Sequence, residues 1–227
     1  GLSQLEKMYF SQVEKKRAAD MAAAVSAHVP VISVGNITAG GTGKTPCILM
    51  LAELFFSIGK KPAIISRGYK SGLEKEGGCV SDGRSILVSQ QMAGAEPYMM
   101  ARKLPSVPIF IGKDRIASVR RAEKMGVGIL LLDDGFQYWK LRRDQDIILI
   151  DATNPFGYGH GLPRGLLREP LDALSRASLF ILTKSDQVHL TDLMEIREEL
   201  ARLAPGVPVL SSTHAPSKVV PYEKWKA

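Results

Sequence analysis

Two rhythms of apolar residues run through the 227-residue chain. Nearly continuous apolar runs, Val29 to Val34, Val127 to Leu132 and Ile147 to Ile150, read as strands covered on both faces, as in parallel sheets flanked by crossover helices. Between them, apolar residues recur every three or four positions, the period of a helix with one buried stripe. The pattern predicts a helix over 2–27, strands over 29–35 and 62–66 with a helix over 44–57 between them, and possible hairpin strands near 78–80 and 84–88. It then predicts helices over 96–104, 113–125 and 189–203, and strands over 107–111, 127–132, 146–150, 178–182 and 207–211. Pro46 is tolerated in the first turn of its helix, where amides need no intrahelical acceptor. The fold class is α/β, a doubly wound and mostly parallel sheet, with an amphipathic helix at 1–27, the main domain at 28–212, and a linker or the start of a second domain at 213–227.

The chemistry concentrates after the first strand. Gly40-Gly41-Thr42-Gly43-Lys44-Thr45 joins an apolar strand to an apolar helix, the setting of a phosphate-binding loop and hence of a P-loop NTPase-like domain. Successive backbone N–H groups and the helix N-terminus form a concavity for anions, Lys44 can reach β and γ phosphates, and Thr45 can ligate Mg²⁺. Thr38 stands where the usual pattern begins with glycine, but the glycines next to the lysine are present. Asp133-Asp134 closes another strand. A carboxylate at the C-terminal end of a parallel strand faces the same crevice and can hold Mg²⁺ directly or through water. Arg67 follows a strand end, and Arg168-Glu169 follows the glycine- and proline-rich segment 154–168, read as an active-site loop. Either arginine can grip a phosphate at two points. His160, in the same loop, is a candidate for meeting a substrate phosphate, whereas His28, His189 and His214 read as structural or exposed.

Thr183-Lys184-Ser185-Asp186 is one residue away from the Asn-Lys-x-Asp box that reads guanine. It keeps a GTPase or GTP-dependent metallochaperone as a second reading, beside the simpler account of a capped helix start. A noncatalytic nucleotide-dependent lipid-binding or regulatory protein is the third.

Bulk properties narrow the partners. The sequence has no run of 18 apolar residues, and two separated cysteines, Cys47 and Cys79, read as reduced thiols, with Cys47 filling core. A soluble, cytoplasmic protein is expected. The formal charge of +7 suits an anionic partner. Its basic clusters, Lys15-Lys16-Arg17 and Arg142-Arg143, are not interleaved with aromatics, so nucleic acid is not expected. In the first helix Leu2, Leu5, Tyr9 and Val13 share one side, with Ala18, Met21, Ala22 and Val25 extending it. Such a helix can pack on its own domain or rest on an anionic bilayer.

Taken together the chain resembles the tetraacyldisaccharide 4'-kinase family. The phrases that carry the resemblance are VPVISVGNITAGGTGKTP (29–46), ISRGYKSG (65–72), EPYMMA (96–101), LLLDDGFQYWKLRRDQDIILIDA (130–152), NPFGYGHGLPRGLLREPLDAL (154–174) and ILTK (181–184). The resemblance implies transfer of the ATP γ-phosphoryl to the 4'-hydroxyl of a tetraacylated glucosamine disaccharide 1-phosphate, at the cytoplasmic face of the inner membrane. It also implies an N-terminal helix that approaches the bilayer and a smaller second domain. By its motifs, Lys44 would bind phosphates, Thr45 with Asp133, Asp134 and Glu96 would surround Mg²⁺, and Arg67, Gln137, Arg168 and Glu169 would line the crevice, with Glu169 orienting Arg168 or the metal shell. Three departures accompany it. Ala95 stands where the family has its catalytic Asp, Tyr138 where a histidine is customary, and the sequence stops at Ala227, short of the region that supplies a supporting histidine. The expectation is an intact nucleotide site with impaired transfer.

Overall fold

A computed structural model describes residues 1–213; His214 and all but the first residue of the expected linker at 213–227 lie outside the described residues. Among the described residues eight strands form one sheet in the order β3-β4-β2-β5-β1-β6-β7-β8. They are β1 (Val31–Gly35), β2 (Pro62–Ser66), β3 (Gly78–Asp82), β4 (Pro108–Ile111), β5 (Ile129–Asp133), β6 (Gln145–Asp151), β7 (Leu179–Thr183) and β8 (Val209–Ser211). All neighbours pair parallel except β3, which runs antiparallel on β4 at one edge. The helices are α1 (Leu2–Ala22), α2 (Lys44–Ser57), α3 (Gln90–Ala93), α4 (Ala95–Lys103), α5 (Arg115–Lys124) and α6 (Leu190–Leu203).

The alternation of side chains along each strand sorts the core into two faces. Val34, Ile64, Leu131 and Leu149 pack with Ile48 and Ala52 of α2 and Met100 of α4. On the opposite face Ile65, Leu130 and Leu132 meet Val119 and Ala122 of α5, while Ile148, Ile150 and Phe180 meet Ile196 and Leu200 of α6. Leu130, Leu131 and Leu132 have no exposed surface. Burial worth about 1.5–3 kcal/mol per leucine side chain therefore fixes the register that delivers Asp133 to the strand end. Because β5 and β6 flank β1 on its two sides, the crevice beyond the C-terminal end of β1 is a topological switch point, where open α/β sheets bind ligands.

Three local expectations change. The first helix stops at Ala22 rather than near 27, because Val25 turns to backbone pairing instead, donating its N–H to Lys140 O (3.0 Å) and accepting from Arg142 N (2.8 Å). The second strand of the expected hairpin does not form; 84–88 returns beside β3 with a single bridge, Ser81 to Ile86. A short helix, α3, was not expected; its cap Ser89 accepts from Met92 N. Cys47 is buried in α2 and burial pushes its thiol up to about 11, in keeping with a core-filling role.

Candidate active site

The loop between β1 and α2 is built for an anion. Gly43 caps α2 with φ 85°, a left-handed conformation that a side chain would strain, and the first amides of a helix have no intrahelical acceptor. Thr42 is buried and its Oγ1 has no hydrogen-bond partner among the described residues, while its carbonyl accepts from Thr183 Oγ1 at 3.2 Å. An unsatisfied buried hydroxyl costs about 1–3 kcal/mol, so a ligand acceptor at this loop relieves a standing penalty. Lys44 Nζ donates to Asn36 Oδ1 (3.2 Å) and lies 3.7 Å from Asp134 Oδ1.

Opposite the loop, the paired aspartates take different states. Asp134 has φ 48° and meets the Arg168 guanidinium at two points, Nη1 to Oδ1 at 2.7 Å and Nη2 to Oδ2 at 3.1 Å. Burial opposes its ionisation, but Arg168, Lys44 and Arg115 outweigh that and hold its carboxyl below the ordinary range. Asp133 is almost completely buried, with Ser66 Oγ donating to it at 2.8 Å. There desolvation wins over that hydrogen bond, with the nearby charge of Glu96 adding to it, and the carboxyl is pushed up to about 6. A carboxyl raised on folding favours the native state most below its unfolded pKa near 4, and that advantage disappears as pH rises through about 6. Metal- and nucleotide-free Asp133→Asn is therefore expected to unfold with stability equal to the parent at pH 4 and higher by on the order of 2 kcal/mol at pH 8. Denaturant melts at the two pH values check this; a variant destabilised at pH 8 would contradict the assignment.

Thr45 Oγ1 donates to Glu96 of α4. Glu96, Asp133 and Asp134 line one cavity of about 490 Å³ with Lys44, Arg67 and Ala95, and Thr45 is tied to it through Glu96. Among the described residues no group of three or more His, Cys, Asp or Glu forms a ready-made metal cage. The donor set is nevertheless hard oxygen, a hydroxyl and carboxylates, which suits Mg²⁺, an ion that keeps waters and shares substrate phosphates. A second cleft of about 640 Å³ adjoins it, walled by Lys16 of α1, Lys75, Lys113, Lys140, Arg115 and Arg168 among others.

Most sequence candidates converge here, but three have other partners than expected. Arg67 Nε is held by Glu74 at 2.8 Å and its guanidinium lies over Tyr69, so it lines the wall of both cavities with its guanidinium engaged by neighbours. His160 Nδ1 faces Glu6 of α1 at 3.4 Å, not the crevice. Glu169 has no exposed surface; Arg176 donates to both its oxygens and Gln137 Nε2 to one, so it orients neither Arg168 nor the Thr45 and Asp133 group. Asp186 is exposed on a short 3-10 turn, and Lys184 is paired with Asp151.

Four contributors went unnoticed in the sequence. Asn36, wholly buried, accepts from both Lys44 and Arg168 through Oδ1 and so ties the loop to the arginine. Ser66 holds Asp133. Arg115 bridges the carbonyls of Asp133 and Asp134 at 2.9 Å each, its guanidinium over the Tyr138 ring. Tyr9 OH donates to Arg168 O at 3.0 Å. Only Asn36, between the end of a strand and the loop, carried a readable signal.

The family model Tetraacyldisaccharide-1-P 4'-kinase matches residues 2–225. The chain belongs to this family. Two members, the tetraacyldisaccharide 4'-kinases of Desulfatibacillum aliphaticivorans and Halothermothrix orenii, are 46% identical over 193 residues and 45% over 185, covering 85% and 81% of this chain. Those alignments take in 50% and 48% of the relatives, so the chain spans about half their length. Among solved structures, the "apo" form of the Aquifex aeolicus kinase LpxK, in complex with ATP, superposes with a TM-score of 0.74 at 29% identity, covering 98% of this chain and 84% of that one. The hydrogenase maturation factor HypB of Archaeoglobus fulgidus, at TM-score 0.52 and 14% identity over 96% of this chain and 95% of that one, shares the fold alone.

Proposed function

We propose that the protein binds ATP with Mg²⁺ and transfers the γ-phosphoryl group to the 4'-hydroxyl of a tetraacylated glucosamine disaccharide 1-phosphate. The observation that carries this is the meeting of Lys44, Arg168 and Asp134 around Asn36 at the mouth of the phosphate loop, in a chain of this kinase family. Phosphoryl transfer asks little covalent chemistry of a protein; it asks for alignment and for positive charge where charge gathers. Loop amides and Lys44 supply that for the β and γ phosphates, and the Thr42 hydroxyl gains a partner. Arg168, with Asp134 holding its fork, is poised to exchange the carboxylate for the transferring group. Thr45, Asp133, Asp134 and Glu96 would hold the metal, which supplies charge neutralisation between phosphates when bound. The basic cleft beside the loop matches an acceptor that carries a phosphate of its own.

Ala95 opens α4 in the same cavity as Lys44. Its methyl cannot take the proton of an attacking hydroxyl, so turnover here rests on alignment and charge, and is slower than with a carboxylate at that position. Base preference tests the reading against the GTP alternative. ATP is expected to compete at least tenfold better than GTP for the loop, with Asp186→Ala leaving the ratio unchanged; the opposite preference, lost in that variant, would favour a GTPase.

No described helix is long and apolar enough to cross a membrane. Leu2, Leu5 and Met8 of α1 are half exposed or more, with Lys7 and Lys15 nearby on exposed positions, which supports peripheral contact with an anionic inner-membrane surface on the cytoplasmic side. Cosedimentation with anionic vesicles is expected to fall with added salt and on replacing Leu2, Leu5 and Met8 by serine. Binding indifferent to both changes would remove α1 from that role.

A further inference from the structure

Beyond the reading just given, and resting on it only for the rate measurement, the structure assigns a second task to α1. We propose that Glu6 and Tyr9 are positioning residues: they latch the segment 157–168 against the phosphate loop and so set the place of Arg168.

Glu6 is the one buried charge of α1. Its Oε1 accepts from Gly161 N at 2.7 Å, Arg164 Nη1 lies 3.4 Å from Oε2, and His160 Nδ1 lies 3.4 Å from Oε1. The Gly161 hydrogen bond foremost, with the His160 and Arg164 charges, holds the carboxyl below the ordinary range against desolvation. One turn further on, the Phe10 ring fills the space beside Gly161, where a Cβ would come within 2.3 Å of it. Tyr9 then reaches the Arg168 carbonyl, and burial keeps its phenol protonated, hence a donor. The helix therefore grips the segment at its middle and at its C-terminal end.

The segment in turn grips the loop. Arg168 N donates to Ile37 O (2.8 Å), Ala39 N donates to Leu166 O (2.7 Å), and Thr38 pairs with Leu167 as an antiparallel bridge. Ile37, Thr38 and Ala39 lead directly into Gly40. Hydrogen bonds thus run from the Glu6 and Tyr9 side chains through the segment to the start of the phosphate loop, while the Arg168 side chain leaves the same stretch for Asp134 and Asn36. A guanidinium placed about 1 Å wrong can cost 10²-fold in rate. His160, Gly161 and Arg164 form the receiving side of this latch.

The test compares Glu6→Ala, Glu6→Gln and Tyr9→Phe in the full chain. Glu6→Ala is expected to speed amide exchange at Leu166, Leu167 and Arg168 at least tenfold and to lower kcat about tenfold, with KM for ATP within twofold. Glu6→Gln keeps an oxygen that accepts from Gly161 N–H and should recover most of both losses. Tyr9→Phe, which removes one hydrogen bond and little packing, should speed exchange at Arg168 and lower kcat severalfold. Exchange unchanged in Glu6→Ala and Tyr9→Phe overturns the latch. Faster exchange with kcat unchanged overturns the positioning of Arg168, leaving a purely structural contact. Exchange needs no turnover, so failure of the latch and failure of the kinase reading remain distinguishable.

Discussion

Lys44→Ala is expected to lower phosphoryl transfer by about 10²–10³-fold, the usual cost of deleting one preorganised donor from a site where charge develops. The ammonium has two partners in the free protein, Asn36 and Asp134, and neither is stranded by its removal. Asn36 keeps Arg168 and its own bond to Thr38 O at 2.7 Å, and Asp134 keeps both arms of Arg168. The fold should therefore survive, with a melting temperature close to that of the parent, and the loss should fall on kcat more than on folding. Single-turnover transfer and a thermal melt on the same preparation check this. A large drop in melting temperature with the rate per folded molecule preserved would make Lys44 a structural residue.

Ala95→Asp is expected to act in the opposite direction, raising transfer by about 10²–10⁴-fold, the range over which a positioned general base contributes. The site is ready for it in two respects. Residue 95 is the first of α4, after Gly94 with φ 86°, and a carboxylate in the first turn of a helix is stabilised by the unpaired amides there, by about 0.3–1 kcal/mol. It would also share the cavity with Glu96, Asp133 and Asp134, whose charge raises its pKa toward neutrality and makes it a better proton acceptor. The gain should come with a new acidic limb in the rate profile against pH. A variant with the parent's rate and a flat profile would show that proton removal does not limit turnover.

The sequence made some of this legible and hid the rest for physical reasons. The strands of the sheet were readable because their apolar runs are covered on both faces, so nearly every position reports burial. Asp133 and Asp134 were readable because a strand ending in acids breaks that rule. The end of α1 was not, since Ala23, Ala24 and Val25 suit a helix as well as the extended bridge to Leu141 that tertiary pairing imposes. The face of α1 was misleading for a related reason: the inward stripe begins with Glu6, a charge that its partners at 160–164 make tolerable inside. Arg115 and Ser66 gave no signal at all, because a buried arginine and a surface one are the same letter until the fold supplies two carbonyls and a ring. Glu169 and Arg67 show the limit of reading motifs by position: each lies near the crevice, yet each is held by a neighbour, Arg176 or Glu74, that spacing did not suggest.

The most direct measurement follows labelled γ-phosphate from ATP, in the presence of Mg²⁺, onto tetraacyldisaccharide 1-phosphate, with fragmentation of the product to locate the new group. The account predicts label on the 4'-oxygen of the distal sugar, at a rate that falls in Lys44→Ala and rises in Ala95→Asp. Label released only as free phosphate in all three proteins, with none on the lipid, would contradict it.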